Sequence, residues 1–219
     1  MLKDMSKKII FSVWSDLSPS WIKHKEALVD KHKEYAKVCE ADYKLIDTDQ
    51  NFIDLMFLKI QLAEQLLDKY DQVLYLDLDV IPLTCKSFFD TFNLDKICLH
   101  YTLNPEWKIQ QKRLMLAEEG IISDNKITNT GVFGMNRKSR DMLKFSKRKH
   151  SIKKKYSDYT PNNEVYMSYL IEKYKVPYTE IGMRWNFILD NTIKNHSAAC
   201  YFVHQVNKNF KDILNNGQE

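Results

Sequence analysis

The stretch Tyr70-Asp71-Gln72-Val73-Leu74-Tyr75-Leu76-Asp77-Leu78-Asp79-Val80-Ile81-Pro82 decides how this chain is read. Gln72 to Asp77 is an apolar run rich in β-formers, which predicts a buried strand closed at Pro82. Asp77 and Asp79 stand at its end. Side chains alternate along a strand, so both carboxylates are expected on one side, with Leu78 turned into the fold. In an open parallel sheet, ligands bind at the carboxyl ends of the strands. Two carboxylates there are not stable bare, because desolvating each costs several kcal/mol unless it is paired or metal-bound. Hard carboxylate oxygens suit Mg²⁺ or Mn²⁺, and such an ion commonly bridges to phosphate oxygens.

Upstream of this stretch, Lys8 to Trp14 predicts a first buried strand. Ser18-Pro19 predicts a helix start, with Ile22, Leu28, Val29, Tyr35, Ala36 and Cys39 at helical spacing behind it. Tyr43 to Thr48 reads as a second strand. Asp54 is placed to cap a second helix, whose Leu55, Leu58, Leu62 and Leu66 form one stripe. This β-α-β-α-β order predicts a mostly parallel central sheet flanked by helices, an α/β class with right-handed crossovers. Downstream, Ser87 to Phe92, Trp107 to Glu119, Lys138 to His150 and Asn163 to Tyr174 read as helices. Lys96 to Tyr101, Thr128 to Asn136, Val176 to Glu180 and Ala199 to Val203 read as strands. Neither a repeat nor a linker interrupts the pattern, so residues 1–219 are taken as one domain.

Composition narrows the function classes. Hydrophobic residues make up 44% and charged residues 28%, as in an ordinary globular protein. The four cysteines, Cys39, Cys85, Cys98 and Cys200, form no C-x-x-C pair, and each sits in or beside an apolar segment. They are read as reduced and mostly buried, which leaves no basis for a cysteine zinc site. Five glycines supply neither G-x-G-x-x-G nor a P-loop, so a bound diphosphate needs another device. The net charge is +4, with basic residues concentrated from Arg137 to Lys155. That region reads first as a solvated helix face, then as a weak contact for an anionic membrane surface or a phosphorylated acceptor. No reading motif accompanies it, so nucleic acid is not an expected partner. The apolar run Ile9 to Trp14 is too short for a signal-peptide core, and no stretch approaches the roughly 20 residues that span a bilayer, so a cytoplasmic protein is expected.

Four functional classes compete for the acidic pair, beside the bland reading of two solvated acids ending a strand. A metal–diphosphate site in a sugar transferase fits best. A phosphatase of the haloacid-dehalogenase type also places D-x-D after a strand, but wants it after the first strand with a late acidic motif. A non-catalytic sugar-nucleotide-binding module would keep the same fold. A nucleotidyl transferase would carry a glycine-rich basic signature near its N-terminus, which Ser12 to Ser20 lacks.

Lys69 to Pro82 resembles the helix–strand–DxD segment of GT-A glycosyltransferases, and is especially similar to glycosyltransferase family eight and its relatives. Further landmarks follow in order. Asn129-Thr130-Gly131-Val132 resembles the segment beside the donor sugar, and Pro161-Asn162-Asn163-Glu164 lies where the family opens a helix with an acidic motif. Trp185-Asn186 resembles a Trp-Asn pair, and Tyr201-Phe202-Val203-His204 a late strand ending in a metal-binding His. The compact size and lack of an anchor are also similar to glycosyltransferases of large algal DNA viruses.

The resemblance implies a GT-A (Rossmann-like) fold and transfer of a hexosyl group from a UDP-sugar to a hydroxyl on a glycan or glycoconjugate acceptor. The nucleotide-binding half would end near residue 100, and the acceptor-binding half would follow. The resemblance further implies that Asp79, Asp77 and His204 hold Mn²⁺ or Mg²⁺, and that Asp77 otherwise binds the ribose hydroxyls. Val13, Trp14 and Ser15 would meet the uracil and ribose, Asp47 the base, and Lys59 the phosphates. Leu78 joins the donor site with the DxD segment, and Asn129, Thr130 and Gly131 with the donor sugar. Glu164 and Asp190 are candidates for the catalytic base of an inverting enzyme, or for orienting the sugar in a retaining one, with Asp158 a weaker choice. Trp185 is attractive as a sugar platform, whereas Trp107 reads as core packing. One departure is clear. The family usually follows its His with Gly and then Lys-Pro-Trp, but here His204 is followed by Gln205-Val206-Asn207-Lys208-Asn209-Phe210-Lys211. Lys208 or Lys211 could still bring positive charge to the leaving diphosphate. The sequence does not choose between retention and inversion.

Overall fold

The structure, a computed structural model, describes residues 6–15, 22–49, 52–103, 105–189 and 199–206. In chain order its elements are β1 (Lys8–Ser15), α1 (Lys25–Val38), β2 (Asp42–Thr48), α2 (Phe52–Leu66), β3 (Gln72–Leu76), β4 (Val80–Pro82), α3 (Phe88–Thr91), β5 (Ile97–Thr102), α4 (Glu106–Ala117), β6 (Ile127–Asn136), α5 (Arg137–Leu143), α6 (Phe145–Lys155), α7 (Asn163–Lys173), β7 (Tyr178–Glu180), β8 (Phe187–Leu189) and β9 (Phe202–Gln205). Short 3-10 turns occupy Ile22–His24 and Met183–Trp185. The helix start expected at Ser18-Pro19 lies outside the described residues.

The main sheet has the order β2-β1-β3-β6-β5-β7. β1 runs parallel to β2 and β3, and β5 parallel to β7. β6 runs antiparallel to both β3 and β5. The expected, mostly parallel sheet flanked by helices is therefore present, with one reversed strand at its centre. Strand direction is not written in the sequence pattern. β6 is buried along most of its length, and a strand covered on both faces reads as the same apolar run in either direction.

Strand alternation sorts the core into two faces. Ile9, Phe11 and Val13 of β1 and Val73 and Tyr75 of β3 join Phe57, Ile60 and Ala63 of α2 and Tyr166 of α7. The intervening Ile10, Leu74 and Leu76 face Tyr35 of α1 with Phe88, Trp185 and Phe202. Each large apolar side chain buried in this way contributes roughly 1.5–3 kcal/mol relative to exposure. The expected stripe Leu55, Leu58, Leu62 and Leu66 lies at the edge of the first face, packed against it.

Local departures from the sequence reading have identifiable causes. α2 opens at Phe52, so Asp54 lies in its first turn, where a carboxylate favours the positive end of the helix dipole, rather than at the cap. The helix expected over Lys138 to His150 breaks at Lys144, whose φ of 48° and ψ of 46° are left-handed, giving α5 and α6. Asn136 starts α5 with a capping box to Ser139. The strand expected at Val176 starts only at Tyr178, and the one expected at Ala199 starts at Phe202. Of the cysteines, Cys85 is exposed and the other three are buried.

A second sheet, β4-β9-β8, was not expected. β4 pairs antiparallel with β9 so that Val80 faces His204, and the Gln205 N–H donates to the Asp79 carbonyl at 2.9 Å. This small sheet carries the late histidine to the acidic turn.

Candidate functional site

β3 stops at Leu76, one residue before the acidic pair. Asp77 to Asp79 form a turn in which the Val80 N–H donates to the Asp77 carbonyl at 2.9 Å. The two carboxylates therefore converge through a turn rather than through strand alternation, which corrects the sequence reading of how they come together. Leu78 does point inward as expected, beside Trp14, Leu28, Ile81 and Val203.

Among the described residues, Asp77, Asp79 and His204 form one group able to hold a metal ion, with one ligand atom from each lying within 4.8 Å of the others. His204 Nε2 is 3.4 Å from Asp79 Oδ1 and 3.9 Å from Asp77 Oδ2. On an octahedral ion with bonds of about 2.1 Å, adjacent ligand atoms lie about 3 Å apart and opposite ones about 4.2 Å. The two histidine–carboxylate spacings fall in that interval, and two carboxylates with an imidazole make a donor set suited to Mn²⁺. The residues fit the ion that the resemblance implies.

The supports of this group come from four elements. Lys59 of α2, almost fully buried, holds both Asp77 oxygens at 3.1 and 3.3 Å. Its ammonium also lies 4.9 Å from the centre of the Tyr75 ring, and the Tyr75 hydroxyl donates to Asp77 Oδ1. Burial, then the Asp77 charge, push the Tyr75 hydroxyl well above the ordinary tyrosine value, so it stays a donor. Below the turn, His32 of α1 is fully buried. Its Nε2 meets the Val80 carbonyl at 2.5 Å and its Nδ1 the Ser12 hydroxyl at 2.9 Å. Burial lowers its pKa from 6.5 to about 4, so the ring is neutral. A neutral imidazole donates from one nitrogen only, and the carbonyl requires that to be Nε2.

β6 carries the Asn129-Thr130-Gly131 segment. The Gly131 carbonyl accepts from the Asp77 N–H at 2.7 Å. Asn129 Oδ1 accepts from the Gly131 N–H at 3.0 Å and from Asn186 Nδ2 at 2.8 Å. Thr130 is held from α7: its N–H donates to Glu164 Oε1 at 3.2 Å, and its hydroxyl accepts from Asn163 Nδ2 at 2.8 Å. Asn162 caps α7 by accepting from the N–H groups of Glu164 and Val165. The other Glu164 oxygen is taken by Lys108 of α4.

The remaining expected residues fall as follows. Val13, Trp14 and Ser15 end β1 with buried side chains, so a ligand beside them would meet mainly backbone. Asp47, next to last in β2, stands opposite Trp14 and pairs with Lys25 at 2.9 Å on the surface. Lys59 is turned onto Asp77. Trp185 is 4% exposed and packed among Phe88, Phe92, Tyr201 and Phe202, which leaves no indole face for a sugar and corrects the platform reading. Trp107, read as core, is instead 48% exposed. Asp190 and Lys208 lie outside the described residues.

Sequence reading missed His32, Tyr75 and Lys108. His32 had a signal: it stands four residues after Leu28 and three before Tyr35, filling the gap in the apolar stripe of α1.

The sheet order, the acidic turn at the end of β3 and the reversed β6 beside it define the class, a GT-A glycosyltransferase. The sequence pattern of "Glycosyl transferase family 8" matches residues 7–211, and the chain belongs to that family. The phosphatase reading is thereby displaced. Similar folds include a glycosyltransferase involved in the glycosylation of the major capsid of PBCV-1, with a TM-score of 0.61 and 17% identity over 90% of this chain and 93% of the other. The galactosyltransferase LgtC, solved with donor and acceptor sugar analogues, has a TM-score of 0.54 and 14% identity over 91% and 87% of the two chains. Mouse xyloside xylosyltransferase 1 has a TM-score of 0.56 and 12% identity over 91% and 98%. No curated protein sequence matches the chain. Among the described residues, no helix is long and apolar enough to cross a membrane.

Proposed function

We propose that this glycosyltransferase moves a hexosyl group from a UDP-sugar to a hydroxyl of a glycan or glycoconjugate, and that it depends on Mn²⁺ or Mg²⁺. The observation that carries the reading is the convergence of Asp77, Asp79 and His204 at the end of β3, from segments far apart in sequence. In this reading the three side chains hold the ion. When bound, it supplies positive charge to the departing diphosphate, commonly the largest electrostatic contribution to such a reaction.

The protein's own groups do the rest. Lys59 holds the Asp77 carboxylate in place. The backbone at the ends of β1 and β2 receives the nucleoside, and Asp47 stands beside it. Asn129, Thr130 and Gly131 face the donor sugar. Both Glu164 oxygens are engaged, one by Lys108 and one by the Thr130 N–H, which supports an orienting role over that of a proton acceptor. The first half of the chain would then bind the nucleotide and the second half the acceptor.

The test is UDP release across a panel of nucleotide sugars, with Mn²⁺ and with chelator. Metal-dependent release from one donor is the expected result. Metal-dependent UDP binding without turnover of any donor, with or without candidate acceptors, would turn the reading toward a binding module.

A further inference from the structure

We propose that Asn186 is a positioning residue that fixes the tautomer of His204, and that its own orientation is set from the backbone of Gly131 through Asn129. The consequence for metal binding rests on the ion-site reading above; the tautomer assignment does not.

The argument is a chain of donors and acceptors. The Gly131 N–H can only donate, so the Asn129 atom 3.0 Å away is oxygen. The same oxygen has a second lone pair, which accepts from the Asn186 amide at 2.8 Å, so the Asn186 atom facing Asn129 is nitrogen. That leaves the Asn186 oxygen facing His204 Nδ1 at 3.2 Å. An amide oxygen cannot donate, so Nδ1 carries the proton. In the neutral ring, Nε2 then carries no proton. It points at Asp79 Oδ1 and Asp77 Oδ2, two further electron-rich groups.

Three lone-pair donors facing one point suit a cation between them. The opposite tautomer would put an N–H there and block the ion. A ligating imidazole is commonly held by a partner on its other nitrogen, and loss of that partner weakens metal affinity by about 10- to 100-fold. Here the partner is an amide rather than the usual carboxylate or carbonyl, and an amide can present either end. The relay through Asn129 removes that freedom. All three side chains are wholly or mostly buried: His204 is 6% exposed, Asn186 is 1% exposed and Asn129 is intermediate. The orientation is therefore not averaged by water.

The experiment uses the full chain labelled with ¹⁵N-histidine, free of metal, at a pH where the imidazole is neutral. His204 is assigned by loss of its signals in His204→Gln. The expected long-range ¹H–¹⁵N pattern shows a protonated Nδ1 and an unprotonated Nε2, and Asn186→Ala shifts it toward a protonated Nε2. A protonated Nε2 in the parent protein would overturn the proposal. Mn²⁺ affinity, read by the free-ion electron paramagnetic resonance signal, is expected to fall about 10- to 100-fold in Asn186→Ala. Asn186→Asp combined with Asn129→Ala, which removes the oxygen that would oppose the new carboxylate, keeps an acceptor opposite Nδ1 and is expected to recover most of that loss. Equal losses in the two variants would overturn the orienting role. A parent protein that shows the Nδ1–H pattern but takes up no Mn²⁺ would overturn the ion-site reading and leave the relay standing.

Discussion

The imidazole of His204 rests on the backbone of Gly131: a Cβ added there would lie 2.3 Å from Cε1 and 2.7 Å from Nδ1. Glycine is required here by this approach, not by a left-handed backbone. Gly131→Ala is therefore expected to push the ring off its position opposite the two aspartates. Overpacking of this kind costs about 1–3 kcal/mol, so the protein should still fold. Mn²⁺ affinity should fall by about 10-fold or more, and Mn²⁺ titration together with a thermal melt checks both. Unchanged affinity would mean that the histidine is not a ligand.

Asp77 and Asp79 should separate in a thermal melt although both are lost to metal binding. Asp79→Ala removes a carboxylate but leaves its backbone carbonyl bonded to Gln205, so the fold should persist while metal-dependent UDP binding disappears. Asp77→Ala also strands the buried Lys59 ammonium and the Tyr75 hydroxyl. Its expected cost is about 2 kcal/mol, below that for a fully buried pair because Asp77 is itself part-exposed. Equal melting temperatures in the two variants would show that the Lys59 pair carries no stability.

The acidic turn, the Asn129-Thr130-Gly131 segment beside it and the late histidine were legible as one neighbourhood because each is a short run whose chemistry is local. The alternation argument for Asp77 and Asp79 named the right residues by the wrong geometry, since the strand ends at Leu76. The small sheet that brings His204 to Val80 was not legible. Its strands have three or four residues each, too few to show a period. The two tryptophans exchanged roles for a related reason. The platform reading of Trp185 rests on the stacking of sugar rings on aromatic faces and that of Trp107 on core packing as the ordinary fate of an aromatic, and neither sequence neighbourhood shows that Phe88, Phe92 and Phe202 converge on Trp185.

His32 predicts how stability depends on pH. Its folded pKa, about 4, lies below the unfolded value of 6.5 because burial disfavours the charged ring. Above 6.5 both states are neutral and the stability is complete. As pH falls from 6.5 toward 4 the unfolded chain binds a proton that the native chain refuses, so stability falls, by about 3 kcal/mol at most. Urea melts across that window should show a shallower slope in His32→Gln, which keeps an amide able to donate to the Val80 carbonyl. An identical slope would assign the pH dependence to other groups.

Lys112 offers a control on stability away from the site. It is fully buried, and its ammonium meets Asp124 at 2.7 Å, the Lys126 carbonyl at 2.5 Å and the Glu172 carboxylate. Lys112→Met has similar length and no charge, and it leaves two carboxylates facing each other with the Glu172 side chain only 17% exposed. Removing one partner of a buried ion pair costs about 3–5 kcal/mol; Asp124 is 44% exposed, which argues for the lower end. Adding Glu172→Leu removes the stranded charge as well and should recover much of the loss, because an apolar replacement of a whole buried pair is often neutral. Glu172 sits at the end of α7 remote from Glu164, so UDP binding by the folded fraction should match the parent in both variants. Urea melts paired with UDP titration test this, and no recovery in the double variant would show that Lys112 acts through packing rather than charge.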